Sequence, residues 1–304
     1  MTSTQTTQSS TLRGDIFGGV TAGIVALPLA LAFGVSSGLG AAYGLYGAIF
    51  IGFFAAIFGG TAVQISGPTG PMTVVTAAAV IGMADVMGSN DAALPALVVT
   101  FVLAGLIQVG MGFTGVGSLI KFIPYPVVSG FMSGIGVIII LLQLFPSVGL
   151  LSPKGGTVPV IQNLGELFTN ANLAALGVTA VTVIIIYLFP KITKAVPSVL
   201  VSLLAVSIGT YFLGLDVPVI GEIPEGFPAL LFGGFGDIDS SLWGDIFKFA
   251  AMLAALGAID SLLTSVVADN MTKTRHNSNR ELIGQGVGNM ISGAFGGLPG
   301  AGAT

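Results

Sequence analysis

Cysteine is missing from this chain of 304 residues, charged side chains make up 7% of it, and tryptophan and histidine occur once each. The lack of cysteine excludes a disulfide framework, a thiolate metal site and a thiol nucleophile. The scarcity of charge excludes an ordinary soluble domain, in which about a quarter of the residues are Asp, Glu, Lys or Arg. Nothing resembles a catalytic triad, a nucleotide loop or a metal-protease helix, so the sequence reads as a non-enzyme without a nucleic-acid partner. The opening MTSTQTTQSSTLRGD is polar, with no early apolar region. Residues 1–13 therefore read as a short cytoplasmic tail and not as a signal peptide.

What the chain has is apolar length. Hydrophobic residues make up 53% of it, in continuous runs of a size that crosses a bilayer core as helices. Continuous rather than alternating runs argue against a β-barrel. The spans are expected at 15–34, 41–60, 72–88, 94–113, 125–145, 172–189, 197–214, 246–268 and 281–295. With the N-terminus inside, Arg13, Lys121, Lys191, Lys194, Lys273, Arg275 and Arg280 fall on the cytoplasmic side, and only Lys154 and Lys248 do not. Asp85, Asp91, Glu166, Asp216, Glu222, Glu225, Asp237 and Asp239 fall on the other. His276, within KTRHNSNRE, reads as a solvated loop residue, and Asp269 beside it as loop chemistry.

Seven spans before residue 237 make the eighth run opposite to the first, the parity of an inverted repeat. Phe58-Gly59-Gly60 has a counterpart in Phe295-Gly296-Gly297, 237 residues on, and Thr69 has one in Thr304, 235 residues on. The first repeat is expected over 14–236 and the start of the second over 237–304. A third span of the second repeat would begin at Thr304, so the chain reads as part of a longer transporter.

Irregular backbone at membrane depth is tolerated only when buried in protein or lining a cavity. Gly67-Pro68-Thr69-Gly70-Pro71 is expected to enter the midplane extended and to start a half-helix, with Thr69 or Gly70 as cap and Pro71 in the first turn. The N–H groups of that turn attract anions. Pro299-Gly300-Ala301-Gly302-Ala303-Thr304 is expected to make a facing start from the other side. Packing turns are the plainer explanation of either stretch. Asp260, inside AAMLAALGAIDSLLTSVVA, has no basic partner on its own helix, and Thr264 shares its face one turn on. A carboxylate, a hydroxyl and unwound carbonyls suit a small hard cation, and protonation of Asp260 is the competing solution. Pro28 and Phe33 read equally as kink and packing residues.

The stretches YGLYGAIFIGFFAAIFGGTAVQISGPTGPMTVV (43–75) and DSLLTSVVADNMTKTRHNSNRELIGQGVGNMISGAFGGLPGAGAT (260–304) resemble the sulfate permease (SulP) family of anion transporters, closest to its cyanobacterial bicarbonate-transporting members. The resemblance implies an all-α polytopic seven-plus-seven inverted repeat. Its core domain holds spans 1–4 and 8–11, its gate domain spans 5–7 and 12–14, and the core moves against the gate in an elevator-like step. The last spans and a C-terminal STAS domain would lie outside this sequence. It also implies a homodimer in a bacterial inner membrane, with bicarbonate or sulfate as substrate. Carried onto this chain, the family's Na⁺ site falls on Asp260, Thr264, Gly302, Ala303 and Thr304, and its anion site on Thr69, Gly70, Ala303 and Thr304, lined by Phe33. Leu29, where sulfate carriers have Gln, and Asp260, where proton-coupled members have Glu, fit the bicarbonate group. Gly67 departs from it by replacing an acidic residue. The implied activity is Na⁺-coupled bicarbonate symport. Its alternatives are a proton-coupled sulfate permease and, in another class, an anion channel or voltage-responsive motor.

Overall fold

A computed structural model describes residues 12–122, 125–153, 157–193, 196–219, 228–231, 233, 236 and 238–303. Thr304, of the expected site, lies outside the described residues, as do Lys154, Lys194, Glu222, Glu225 and Asp237 of the expected loop charges and the tail up to residue 11. The helices are α1 (Leu12–Ser36), α2 (Ala41–Phe58), α3 (Gly70–Met87), α4 (Asn90–Phe113), α5 (Tyr125–Ser147), α6 (Thr157–Gln162), α7 (Glu166–Thr169), α8 (Leu173–Ile192), α9 (Ser198–Leu213), α10 (Trp243–Thr272) and α11 (Ser278–Ala294). Two short strands, β1 (Ile65–Gly67) and β2 (Ala301–Ala303), complete the regular elements that bear on the site.

Each expected span coincides with one of these helices. The differences lie at the ends: α2 and α9 stop short of the expected runs, whereas α4, α10 and α11 start before them. Helix α4 starts at Asn90 because the Ser89 side chain accepts the Ala92 N–H at 3.1 Å. Helix α10 runs on to Thr272 and stops where Lys273 turns left-handed at φ 58°. Pro28 stays inside a continuous α1. Six of the helices are long and apolar enough to cross a membrane, and α1 and α8 present most of their side chains outward. Leu173, Tyr187 and Ile192 are exposed apolar groups suited to lipid contact.

Helices α1 to α4 pack with α10 and α11, whereas α8 packs on α9 and α5 on α6. The most enclosed element is α11, against α4 and α2. Its close approach rests on small residues, as in membrane helix crossings generally. A Cβ on Gly286 would sit 2.6 Å from the Gly105 carbonyl oxygen, and one on Gly105 would sit 2.5 Å from that of Gly286. The main apolar core lies between α3, α4 and α10, around Met72, Met83, Phe101, Ile246 and Leu253.

His276 is not the solvated residue expected from its charged neighbours. Its Nδ1 lies 2.7 Å from Asp269 Oδ2, its backbone N–H donates to the same oxygen at 3.1 Å, and its Nε2 lies 2.9 Å from Ser278 Oγ. The three side chains tie the end of α10 to the start of α11. The side chain of His276 is 8% exposed.

Candidate functional site

The two Gly/Pro-broken stretches meet. Strand β1 pairs antiparallel with β2, in the register Ile65 to Ala303, Ser66 to Gly302 and Gly67 to Ala301. Extended backbone among the helices of a membrane protein must find partners for its N–H and C=O groups, and here each strand pairs with the other. Two glycines allow the contact. A Cβ on Gly300 would strike the Gly67 carbonyl, and one on Gly302 would fall on the Gln64 amide. Helix α3 then starts at Gly70, as expected, with Pro71 in its first turn. Of the two expected helix starts, the described residues hold this one. The stretch before the other is β2.

Helix α11 holds both strands in place through polar residues one turn apart. Glu281 Oε2 accepts the Gly60 N–H at 2.8 Å, and Gln285 Nε2 donates to Glu281 Oε1 at 2.8 Å and to Ser66 Oγ at 2.6 Å. Asn289 clamps Gly300 from both sides: its Oδ1 accepts the Gly300 N–H at 2.8 Å and its Nδ2 donates to the Gly300 carbonyl at 3.0 Å. Ser292 adds a hydrogen bond to the Leu298 carbonyl at 3.2 Å. None of these residues was singled out from sequence. The signal was present, as polar side chains three or four residues apart on one face of an otherwise enclosed helix.

At the strand crossing Thr69 occupies the N-cap of α3, yet its side chain makes no capping bond. This corrects the expected cap. The Thr69 hydroxyl instead donates to Asp260 Oδ2 of α10 at 2.9 Å. The N–H groups of Gly70 and Met72 stand ahead of the first intrahelical bond, Thr73 N to Thr69 O at 2.9 Å. Asp260 is 4% exposed, and among the described residues no cation pairs with it. Helix α10 is continuous through Asp260, so the unwound carbonyls expected near it come from β2. Thr264 Oγ1 lies within reach of three of them or their helical equivalents, the Asp260, Ser261 and Gly302 oxygens at 3.0, 2.9 and 3.0 Å. Ser261 Oγ accepts the Gly302 N–H at 3.0 Å.

Of the expected site residues, Thr69, Asp260, Thr264 and Gly302 are joined by these hydrogen bonds, and Ala303 pairs with Ile65 in the same crossing. Gly70 and Phe33 adjoin it. A Cβ on Gly70 would sit 3.9 Å from the Phe33 ring and 2.5 Å from Ile139 of α5, so the start of α3 faces both. The donors around Asp260 are carboxylate, hydroxyl and carbonyl oxygens. No group of three His, Cys, Asp or Glu side chains gathers among the described residues. An all-oxygen set with one formal charge fits a monovalent hard cation and not a transition metal.

Comparison with known proteins identifies the family and the fold. A model of the sulfate permease family matches residues 12–304. The bicarbonate transporter BicA of Picosynechococcus is 46% identical over 298 residues, and that of Synechocystis 48% over 297 residues. Each match covers 96% of this chain and 52% of the relative. The putative sulfate transporter YvdB of Bacillus subtilis is 32% identical over 86% of this chain and 48% of its own. The chain thus spans about half the length of the curated relatives it matches. Among solved structures, the transmembrane domain of a cyanobacterial BicA superposes with a TM-score of 0.88 at 47% identity, covering 97% of this chain and 76% of that one. Murine Slc26a9 in its inward-facing state shares the fold, with a TM-score of 0.82 at 19% identity over 97% of this chain and 52% of that one.

Proposed function

Because the chain belongs to the sulfate permease family and carries its inverted-repeat membrane fold, we propose that it is the membrane part of a Na⁺-coupled bicarbonate symporter. The observation that supports the proposal is the bond from Thr69, a residue expected to bind the anion, to Asp260, a residue expected to bind the cation. The names of the relatives at 46% and 48% identity support bicarbonate as the anion.

The coupling follows from charge. Asp260, ionised and with no cationic side chain paired to it among the described residues, repels an anion brought to the start of α3. Na⁺ as co-transported cargo, held by Asp260 and Thr264 with the carbonyl oxygens of β2, cancels that charge. The free N–H groups of Gly70 and Met72 and the α3 dipole then favour bicarbonate. Phe33 lines the anion's place and, with Ile139, keeps it shielded from water. Ala303 and Thr304 complete the site from the second repeat. The core, built from α1 to α4 with α10 and α11, carries both ions past α5 to α9 in an elevator-like step. The packing of these helices into two groups supports this division. The N-terminus lies in the cytoplasm of a bacterial cell, in its inner membrane, and the full-length protein works as a homodimer.

Uptake of labelled bicarbonate into proteoliposomes holding the full-length protein tests the proposal. Uptake is expected to require an inward Na⁺ gradient and to resist competition by sulfate. Equal uptake without Na⁺ removes the coupling, and sulfate competition at equal concentration transfers the protein to the oxyanion permeases. Current that scales with voltage and ignores Na⁺ would make it a channel.

A further inference from the structure

A side chain from outside α10 and outside the strands hydrogen-bonds to the hydroxyl row of α10. Gln64, immediately before β1, donates through Nε2 to Thr264 Oγ1 and to the Ser261 carbonyl, the latter at 3.1 Å. Its Oε1 accepts from Ser265 Oγ at 2.9 Å, and Ser265 Oγ lies 2.8 Å from Thr61 Oγ1. A hydrogen-bond chain therefore runs from Thr61 through Ser265 and Gln64 to Thr264.

We propose that Gln64 is a positioning residue for the cation site, which fixes the Thr264 hydroxyl so that one lone pair stays available to Na⁺. The proposal rests on the symport reading above. A hydroxyl offers one donor and two acceptor lone pairs. The Thr264 proton is directed to a backbone carbonyl, among those of Asp260, Ser261 and Gly302. Gln64 occupies one lone pair. The second remains, held in a set direction. Without the amide the hydroxyl can swing its proton among those carbonyls, and each turn moves the lone pair that a cation needs. Preorganised ligands bind more tightly because less order is lost on binding.

Two features show that the amide is built in. The Ser261 carbonyl, which can only accept, sets which way it faces, with Nε2 toward that carbonyl and Thr264 and Oε1 toward Ser265. Gly302 makes room for it, since a Cβ at that position would fall on the Gln64 side chain. Gly302 has no left-handed backbone angle that would otherwise call for glycine.

The experiment uses the full-length protein in detergent. Its thermal unfolding midpoint is followed as NaCl replaces choline chloride at constant ionic strength, and proteoliposome uptake is measured on the same samples. The wild-type midpoint is expected to rise with Na⁺. Gln64→Leu, close in shape but without the amide, is expected to need roughly five- to tenfold more Na⁺ for half of that rise, the worth of about one net hydrogen bond. Its maximal uptake at saturating Na⁺ should stay within about twofold of wild type, because positioning acts on binding rather than on the transport step. Ser265→Ala, a small change that frees Oε1, should shift the Na⁺ response in the same direction by less, and it decides the matter if Gln64→Leu does not fold. Variants that respond to Na⁺ as the wild type does overturn the inference and leave the symport reading standing. A wild type whose stability and uptake both ignore Na⁺ overturns the two together.

Discussion

Thr69 and Asp260 are 191 residues apart in the chain, and the hydroxyl of the first donates to the carboxylate of the second at 2.9 Å. The N-cap residue of a helix normally gives its oxygen to the helix that follows. Here that oxygen is turned away, toward a carboxylate on another helix. The start of α3 is thereby left without a side-chain cap, and Asp260 is tied to it through one hydrogen bond.

Thr69→Val keeps the shape of the side chain and removes this bond. The concentration of bicarbonate that half-saturates uptake should rise roughly 10- to 100-fold, the range for a hydrogen bond to a charged group. Thr69→Ser restores the hydroxyl and should stay close to wild type. Initial-rate uptake over a bicarbonate series measures both. Equal loss in the two variants would mean that shape, and not the hydroxyl, matters.

Asp260→Asn removes the charge while keeping an oxygen near Thr69. The expected result is an anion site no longer tied to Na⁺: the stimulation by Na⁺ disappears, and uptake with and without Na⁺ becomes the same. A variant that retains the wild-type ratio would assign the coupling charge elsewhere.

Glu281 is buried, and its two oxygens receive the Gly60 N–H and the Gln285 amide. Glu281→Ala leaves the Gly60 N–H without its acceptor and the Gln285 amide with Ser66 alone, and should cost about 1–3 kcal/mol, the penalty for an unsatisfied buried polar group. A lower unfolding midpoint with an unchanged Na⁺ response is expected. A changed Na⁺ response at unchanged stability would move Glu281 from scaffold to site.

Gly300→Ala places a methyl group against the Gly67 carbonyl at the strand crossing. Overpacking of this kind costs about 1–3 kcal/mol or more, because backbone cannot step aside as a side chain can. Gly18→Ala, on an open face of α1 with nothing within 4 Å, is the control and should be neutral or slightly stabilising. Paired thermal melts in detergent measure the difference. No difference between the two would mean that the strands can separate freely.

Helix positions were legible because a spanning helix writes itself as an uninterrupted apolar run. The start of α3 was legible through Pro71, whose missing N–H suits a first turn. Asp260 was legible because a carboxylate in such a run has no ordinary reason to be there. The strand pairing was not, since three residues containing glycine carry no period to read. His276 misled because its sequence neighbours are charged, whereas its partners Asp269 and Ser278 are set by the turn at Lys273. Gln64 escaped notice as a single amide in a loop. Its role depends on α10 passing 200 residues later, at Thr264.

The β1–β2 pairing also sets a schedule for making the protein. Ile65 to Gly67 leave the ribosome long before Ala301 to Ala303, which supply their partners. At the usual pace of roughly 5–20 residues per second, the intervening chain takes on the order of ten seconds or more to synthesise. Throughout that interval the first arm carries unpaired backbone groups that a bilayer interior does not tolerate. The nascent chain must therefore hold residues 65–67 in water, in the insertion machinery or against a temporary partner. The pairing that precedes α3 can close only as a late event, once residues 301–303 have been made.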